Sequence, residues 1–145
     1  MATIQAVCER WANLDFDSIL EDSIEANETV IIDANVNQMK HGIKSDGSQI
    51  GIYHNPEYAT MKFNQNQLAG EGNVDLILEG GFTQGIVLGF NSDNIKLFSE
   101  DEKNDDLTAK YGDSIFGLTP ENQSEVNHGY IKPTLLKTLR GVAGI

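Results

Sequence analysis

Three histidines, His41, His54 and His128, are the side chains in this sequence best suited to move a proton or hold a metal near neutral pH. Zinc sites set two or more His or Cys at short fixed spacings, and none of the three has such a neighbour. Each therefore reads as an exposed or helix-end histidine. Cys8, the single cysteine, lies on an apolar stripe with Ile4, Val7 and Trp11 at i, i+3, i+4 and i+7. That position favours a small buried hydrophobe over a catalytic thiol. The run GDSIFG at 112–117 sets a serine between glycines, but not at the spacing of a nucleophile elbow, and it follows a helix rather than a strand. Gly70-Glu71-Gly72 lacks the third glycine and following helix of a dinucleotide fold, and no P-loop is present. The acidic run EDEKNDD at 100–106 lacks the alternating oxygens and central glycine of an EF-hand loop. It reads as a solvated helix start, where carboxylates meet the positive end of the dipole. These residues predict no catalytic, cofactor-binding or metal site.

The elements that would position them follow from periodicity and turn chemistry. Residues 1–44 read as helical, with Asp15 or Asp17 capping a second stretch, a break near Asn27 and a stop at Gly42. Residues 45–98 read as strands and a mobile loop. Asp46-Gly47 marks a turn, Gln49 to Tyr53 alternates as a short strand, Pro56 interrupts the run, and the polar 64–73 segment has little to bury. A β-hairpin follows, with strands at 86–90 and 95–98 around an Asn-Ser-Asp-Asn turn. Residues 99–140 read as helices. Ser99 and Glu102 have capping-box spacing, Thr119-Pro120 is a helix start, and Pro133 should kink or restart the last helix. Residues 141–145 read as a glycine-rich tail. The predicted fold class is α+β in a single domain, with N-terminal helices, a small antiparallel sheet with a central β-hairpin, and C-terminal helices.

The totals bound the function. At 145 residues the chain suits one domain with an ordinary core, and one cysteine excludes an intramolecular disulfide. The first residues lack the basic and apolar regions of a signal peptide, and no apolar run approaches a membrane span. Twenty-two Asp and Glu against ten Lys and Arg give a net charge of −12, which repels a phosphate backbone.

From 45 to 140 the sequence resembles a known family. The residues that carry the likeness are Asp46-Gly47 before a short aromatic strand, Leu76 to Leu78 leading to Gly81-Phe82, and the hairpin with its Phe98-Ser99-Glu100-Asp101-Glu102 exit. Last comes KYGDSIFGLTPEN at 110–122. The pattern resembles small virion proteins of tailed bacteriophages, notably of phages infecting Bacteroides-type hosts. More distantly it is similar to the virion-morphogenesis and tail-completion group. The resemblance implies a structural protein of the virion, assembled in the host cytoplasm as a ring-shaped oligomer in the head–tail connector, neck or tail. Implied partners are other copies of itself, neighbouring portal, neck or tail proteins, and DNA passing through the lumen without specific binding. No enzyme activity, cofactor or membrane is implied, and negative charge would suit a channel wall past which DNA slides. Two alternatives stand beside it: an acidic DNA-mimic inhibitor of a host nucleic-acid enzyme, and a small hydrolase with dispersed catalytic residues.

The apolar patch Ile115, Phe116 and Leu118 bears on that choice. It either tucks into the core, with Phe116 as a staple-like anchor before the Thr119 cap, or meets a neighbouring subunit. Ile145 at the C-terminus is a further candidate for a subunit interface.

Overall fold

The computed structural model describes residues 3–77, 81–90 and 94–144. Its first helices begin where a side chain can accept from the free N–H groups of the opening turn. Thr3 accepts from Ala6 N at the start of α1 (Ile4–Ala12), and Asp15 accepts from Ser18 N at the start of α2 (Phe16–Glu25). The chain breaks at Ala26 and Asn27, as predicted, before α3 (Glu28–Lys40). A Schellman motif ends α3: Ile43 N donates to Gln38 O, and Gly42 N donates to Met39 O. Gly42 takes φ +70°, and a Cβ there would lie 2.8 Å from Val74 O, so only glycine fits. In the following turn Asp46 accepts from the Ser48 hydroxyl and N–H, which hold its carboxyl below the usual range.

The middle of the chain departs from the predicted strands. Gln49 to Tyr53 makes only isolated antiparallel bridges, Ile43 to Gln49 and Ile52 to Asn73. Pro56 interrupts the extended run, as predicted, and it also opens a helix that was not predicted, α4 (Pro56–Gln65). Asn55 Oδ1 accepts from both Glu57 N and Tyr58 N, and proline in the first turn loses no bond because its N–H would be unpaired anyway. Beyond α4 the polar loop is tied at both ends. Asn66 Nδ2 donates to Lys40 O at 2.8 Å, and Gly72 O accepts from Tyr53 N at 2.8 Å.

A short helix, α5 (Gly81–Gln84), leads into the hairpin β1 (Ile86–Phe90) and β2 (Ile95–Ser99). The strands pair antiparallel from Ile86 with Ser99 to Phe90 with Ile95, the predicted hairpin. Among the described residues this is the whole sheet. Most of the predicted turn, and Leu78, lie outside the described residues. The Ser99–Glu102 capping box does not form. Ser99 is buried at the end of β2, where its hydroxyl donates to Phe82 O at 2.7 Å, and the helix α6 (Asn104–Tyr111) starts later. After a 3-10 turn (Asp113–Ile115), Thr119 Oγ1 accepts from Asn122 N and Pro120 opens α7 (Pro120–Val126), as predicted. A π-helical turn (Asn127–Ile131) then precedes α8 (Lys132–Ala143), which restarts with Pro133 in its first turn. The predicted tail is shorter than expected. The helix runs through Gly141 to Ala143, and Gly144 in the left-handed conformation caps it. The fold is α+β.

Contacts gather the chain into two compact units. One comprises Met1–Val30 with Ser124–Ile145. In it α8 packs on α1 and α2, and Asn27 Nδ2 donates to Ser23 O and to Thr134 Oγ1. The α1 stripe is covered only in part: Val7 is half-buried, but Ile4 is 85% exposed, Trp11 53% exposed, and Cys8 is exposed rather than buried. Periodicity correctly signals an apolar face on α1, but it cannot say that the chain itself supplies a cover.

The other unit, Ile31–Gln123, holds the main core of Met39, Ile50, Val74, Leu76, Phe82, Ile86 and Ile115. Two buried amides on α3 organise it. Asn35 Nδ2 donates to Ile115 O at 3.1 Å, and Asn35 Oδ1 accepts from Gly117 N at 3.3 Å. One turn along, Gln38 Nε2 donates to Gly117 O at 3.0 Å, and Gln38 Oε1 accepts from Thr119 N at 2.8 Å and Asn122 Nδ2 at 2.7 Å. An irregular segment has no ladder of its own, so these amides serve as its pairing strand. Replacing Asn35 with Leu strands Ile115 O and Gly117 N, and should cost roughly 2–5 kcal/mol in urea denaturation. An unchanged midpoint would mean that these bonds do not hold the segment.

Candidate functional site

Two concave features within the Ile31–Gln123 unit bear on function. The first is a cavity of about 140 Å³ whose walls include Tyr53, Tyr58, Phe82 and Tyr111. At its polar edge Lys62 Nζ stands 2.5 Å from Asp75 Oδ1, with side chains 3% and 1% exposed. Lys62 and Ala59 form the buried face of α4, so the helix turns a cation inward. Lys62 Nζ also donates to Ile77 O. Asp75 Oδ1 accepts from Ile77 N at 3.1 Å and Oδ2 accepts from Asn66 Nδ2 at 2.8 Å. A buried ion pair needs such extra bonds to offset its desolvation. Tyr53 OH donates to Asp75 O at 3.1 Å, and its ring meets Tyr58 edge-on at 5.1 Å. Burial first, and then the charge on Asp75, push the Tyr53 hydroxyl above the usual tyrosine range.

Chemically, the ion pair spends its hydrogen-bonding capacity on the protein itself. It locks α4 to the 75–77 segment and closes one side of the core. Sequence reasoning missed both residues. They are thirteen positions apart, and neither belongs to a local motif.

The second feature is an open groove of about 610 Å³ between β2, α6 and the 113–117 segment. Ile95, Leu97 and Phe98 of β2 contribute to it, with Asp105, Asp113 and Phe116 opposite. Three of the predicted interface residues belong to this neighbourhood, and the structure separates them. Ile115 is 0% exposed and belongs to the core, so it cannot present a surface to a neighbour. Phe116 is half-buried, packs on Phe82 with ring centroids 5.8 Å apart, and lines the groove. Leu118 is half-buried, and Ile145 lies outside the described residues. Gly117 makes the passage possible. Its φ is +101°, and a Cβ would sit 3.3 Å from Ser45 Cβ.

The hairpin beside the groove is buried at its base and open at its tip. Along one face the pairs run from Ile86 with Ser99, both buried, through half-buried Leu88 with Leu97, to exposed Phe90 with Ile95. On the other face Phe98 is exposed and its ring crosses Gly89.

The histidines remain apart. His41 donates from Nδ1 to Asn37 O at 2.8 Å, and His128 donates from Nδ1 to Ser124 O at 2.8 Å, each to a carbonyl four residues earlier. His54 is exposed on a shallow surface next to Asn55, Pro56 and Glu57. Among the described residues no three His, Cys, Asp or Glu gather as a metal site, and the acidic run serves local turns, with Asp101 Oδ1 accepting from Lys103 N at 2.9 Å. Also among the described residues, no helix is long and apolar enough to cross a membrane.

Compared with protein-family models, curated proteins and solved structures, the chain matches none of them.

The ion pair has a direct thermodynamic test. Lys62→Met leaves the Asp75 carboxylate buried without its cation and should cost about 3–5 kcal/mol of unfolding free energy. Adding Asp75→Asn removes the stranded charge and should recover part of that loss. Equal stability of the single and double variants would show that the charge pairing is unimportant.

Proposed function

We propose that this protein is a structural subunit of a tailed-bacteriophage virion, in a head–tail connector, neck or tail-completion ring, and acts through protein–protein contacts around the DNA channel. The observation that carries the contact-based part is the α1 stripe, where Ile4, Cys8 and Trp11 share one exposed helix face. Apolar surface on that face gains about 25 cal/mol per Å² when a partner removes it from water. Trp is also among the residues that most often anchor interfaces. Phe16, exposed at the start of α2, adds a second large ring to the same unit.

The place in the particle comes from the resemblance of residues 45–140, above all the 110–122 block. In that block the structure divides the work. Ile115 and Asn35 fix the segment, while Phe116 is left at the groove. Ring subunits meet through heterologous surfaces, one face against a different one, and the exposed α1 face supports one such contact. The charge of −12 supports a position beside DNA without adhesion, because like charge keeps phosphates from binding the wall.

Quantitative mass spectrometry of purified virions tests the proposal. A ring subunit should be present at about one copy, or about half a copy, per portal subunit. Absence of the chain from the mature particle would overturn it.

A further inference from the structure

The hairpin has a free edge whose direction can be read from its neighbours. Glu100 N donates to Gly85 O across the strands, so alternate residues counted back from Glu100 face β1. Ser99, Leu97 and Ile95 therefore point their N–H and C=O groups the other way, towards the groove. At the base this edge is already closed, since Ser99 N donates to Asn104 Oδ1 at 3.2 Å. From Leu97 outward to Ile95 the backbone groups pair with no further strand among the described residues, and the groove of about 610 Å³ runs alongside them. A strand edge beside a cleft with side-chain recesses is the arrangement that receives an added β-strand.

Charge decides the occupant. Residues 100–113 carry Glu100, Asp101, Glu102, Asp105, Asp106 and Asp113 against Lys103 and Lys110, six carboxylates to two ammonium groups. Asp105 and Asp113 line the groove itself, with Lys96 as its one cation among the described lining residues. A second copy of this chain, itself at −12, would approach against like charge. We propose that the groove receives an extended, lysine- or arginine-bearing segment of a different protein, which pairs with Leu97 and Ile95. Its apolar side chains would meet Phe116 and Leu97, and its cations would meet Asp105 and Asp113. This inference does not rest on the virion reading, because it needs only the edge, the groove and their charge.

The probe is a capped synthetic peptide of alternating valine and lysine, titrated into the isotopically labelled full chain and followed by amide NMR. The Leu97 and Ile95 amides should shift and exchange more slowly with solvent. An alternating valine and glutamate peptide should bind at least about tenfold more weakly. Asp105→Asn combined with Asp113→Asn should weaken the lysine peptide several-fold while leaving the spectrum that of a folded chain. The same lysine peptide N-methylated at alternate residues should fail to bind, because its strand-pairing donors are gone. Equal affinity for both charge types, equal binding of the N-methylated peptide, or no perturbation at Leu97 and Ile95 would each overturn the proposal. Protection of those amides that rises with protein concentration alone would also overturn it, in favour of pairing between copies.

Discussion

Two amide side chains on one face of α3 hold the part of the Ile31–Gln123 unit that has no regular structure. Asn35 and Gln38, a turn apart and both buried, read the backbone from Ile115 to Thr119 as a neighbouring strand would. Without them, buried carbonyl and N–H groups would be left unpaired in a low-dielectric core, where each is costly. With them, Ile115 is set into the core among Met39, Val74 and Phe82. Ser45 N adds a further stitch by donating to Ser114 O at 2.7 Å. The positions of Phe116, of the groove and of the Thr119 cap all follow from this constraint.

The same economy appears on the other side of the core. α4 has little apolar content to bury, and its inward positions are Ala59 and Lys62 rather than Tyr58 and Met61, which are exposed. What fastens it is the Lys62–Asp75 pair with its bonds to Ile77 and Asn66. Polar networks that are fully satisfied specify one arrangement more sharply than apolar contact does. In this unit, buried amides and one ion pair choose the arrangement, and aliphatic burial supplies the driving force.

Local signals in the sequence were legible where they act over three or four residues. Asp15, Gly42 and the Thr119-Pro120 step each do in the structure what their chemistry indicates, and the hairpin strands lie where alternation places them. Pro56 ends the extended run as its chemistry indicates, but a proline after Asn can also open a helix, and the Asn55 cap does so here. Ser99 has capping-box spacing, yet its hydroxyl turned to Phe82 O when the strand carried it into the core. Lys62, Asp75, Asn35 and Gln38 were invisible for a different reason. The pairings that bury them, Lys62 with Asp75 and the two amides with the 115–122 segment, span from thirteen to more than eighty residues, and nothing in local spacing marks a polar side chain as buried. The α1 stripe shows the opposite limit, since part of a helix face can be apolar and still exposed among the described residues of its own unit.

The outward surfaces carry the functional weight of the proposal: the α1 stripe in one unit, and the hairpin edge with its groove in the other. Each places apolar groups in water on a chain whose excess charge otherwise favours solvation, and each is of the kind that a protein partner would cover. Hydroxyl-radical footprinting of the free chain and of the chain inside purified virions tests this most directly, with Trp11 and Phe98 as reporters. The expected result is strong labelling of both rings in the free chain and protection in the particle. Equal labelling of both rings in the two states would contradict the claim that these surfaces are where the protein meets its partners.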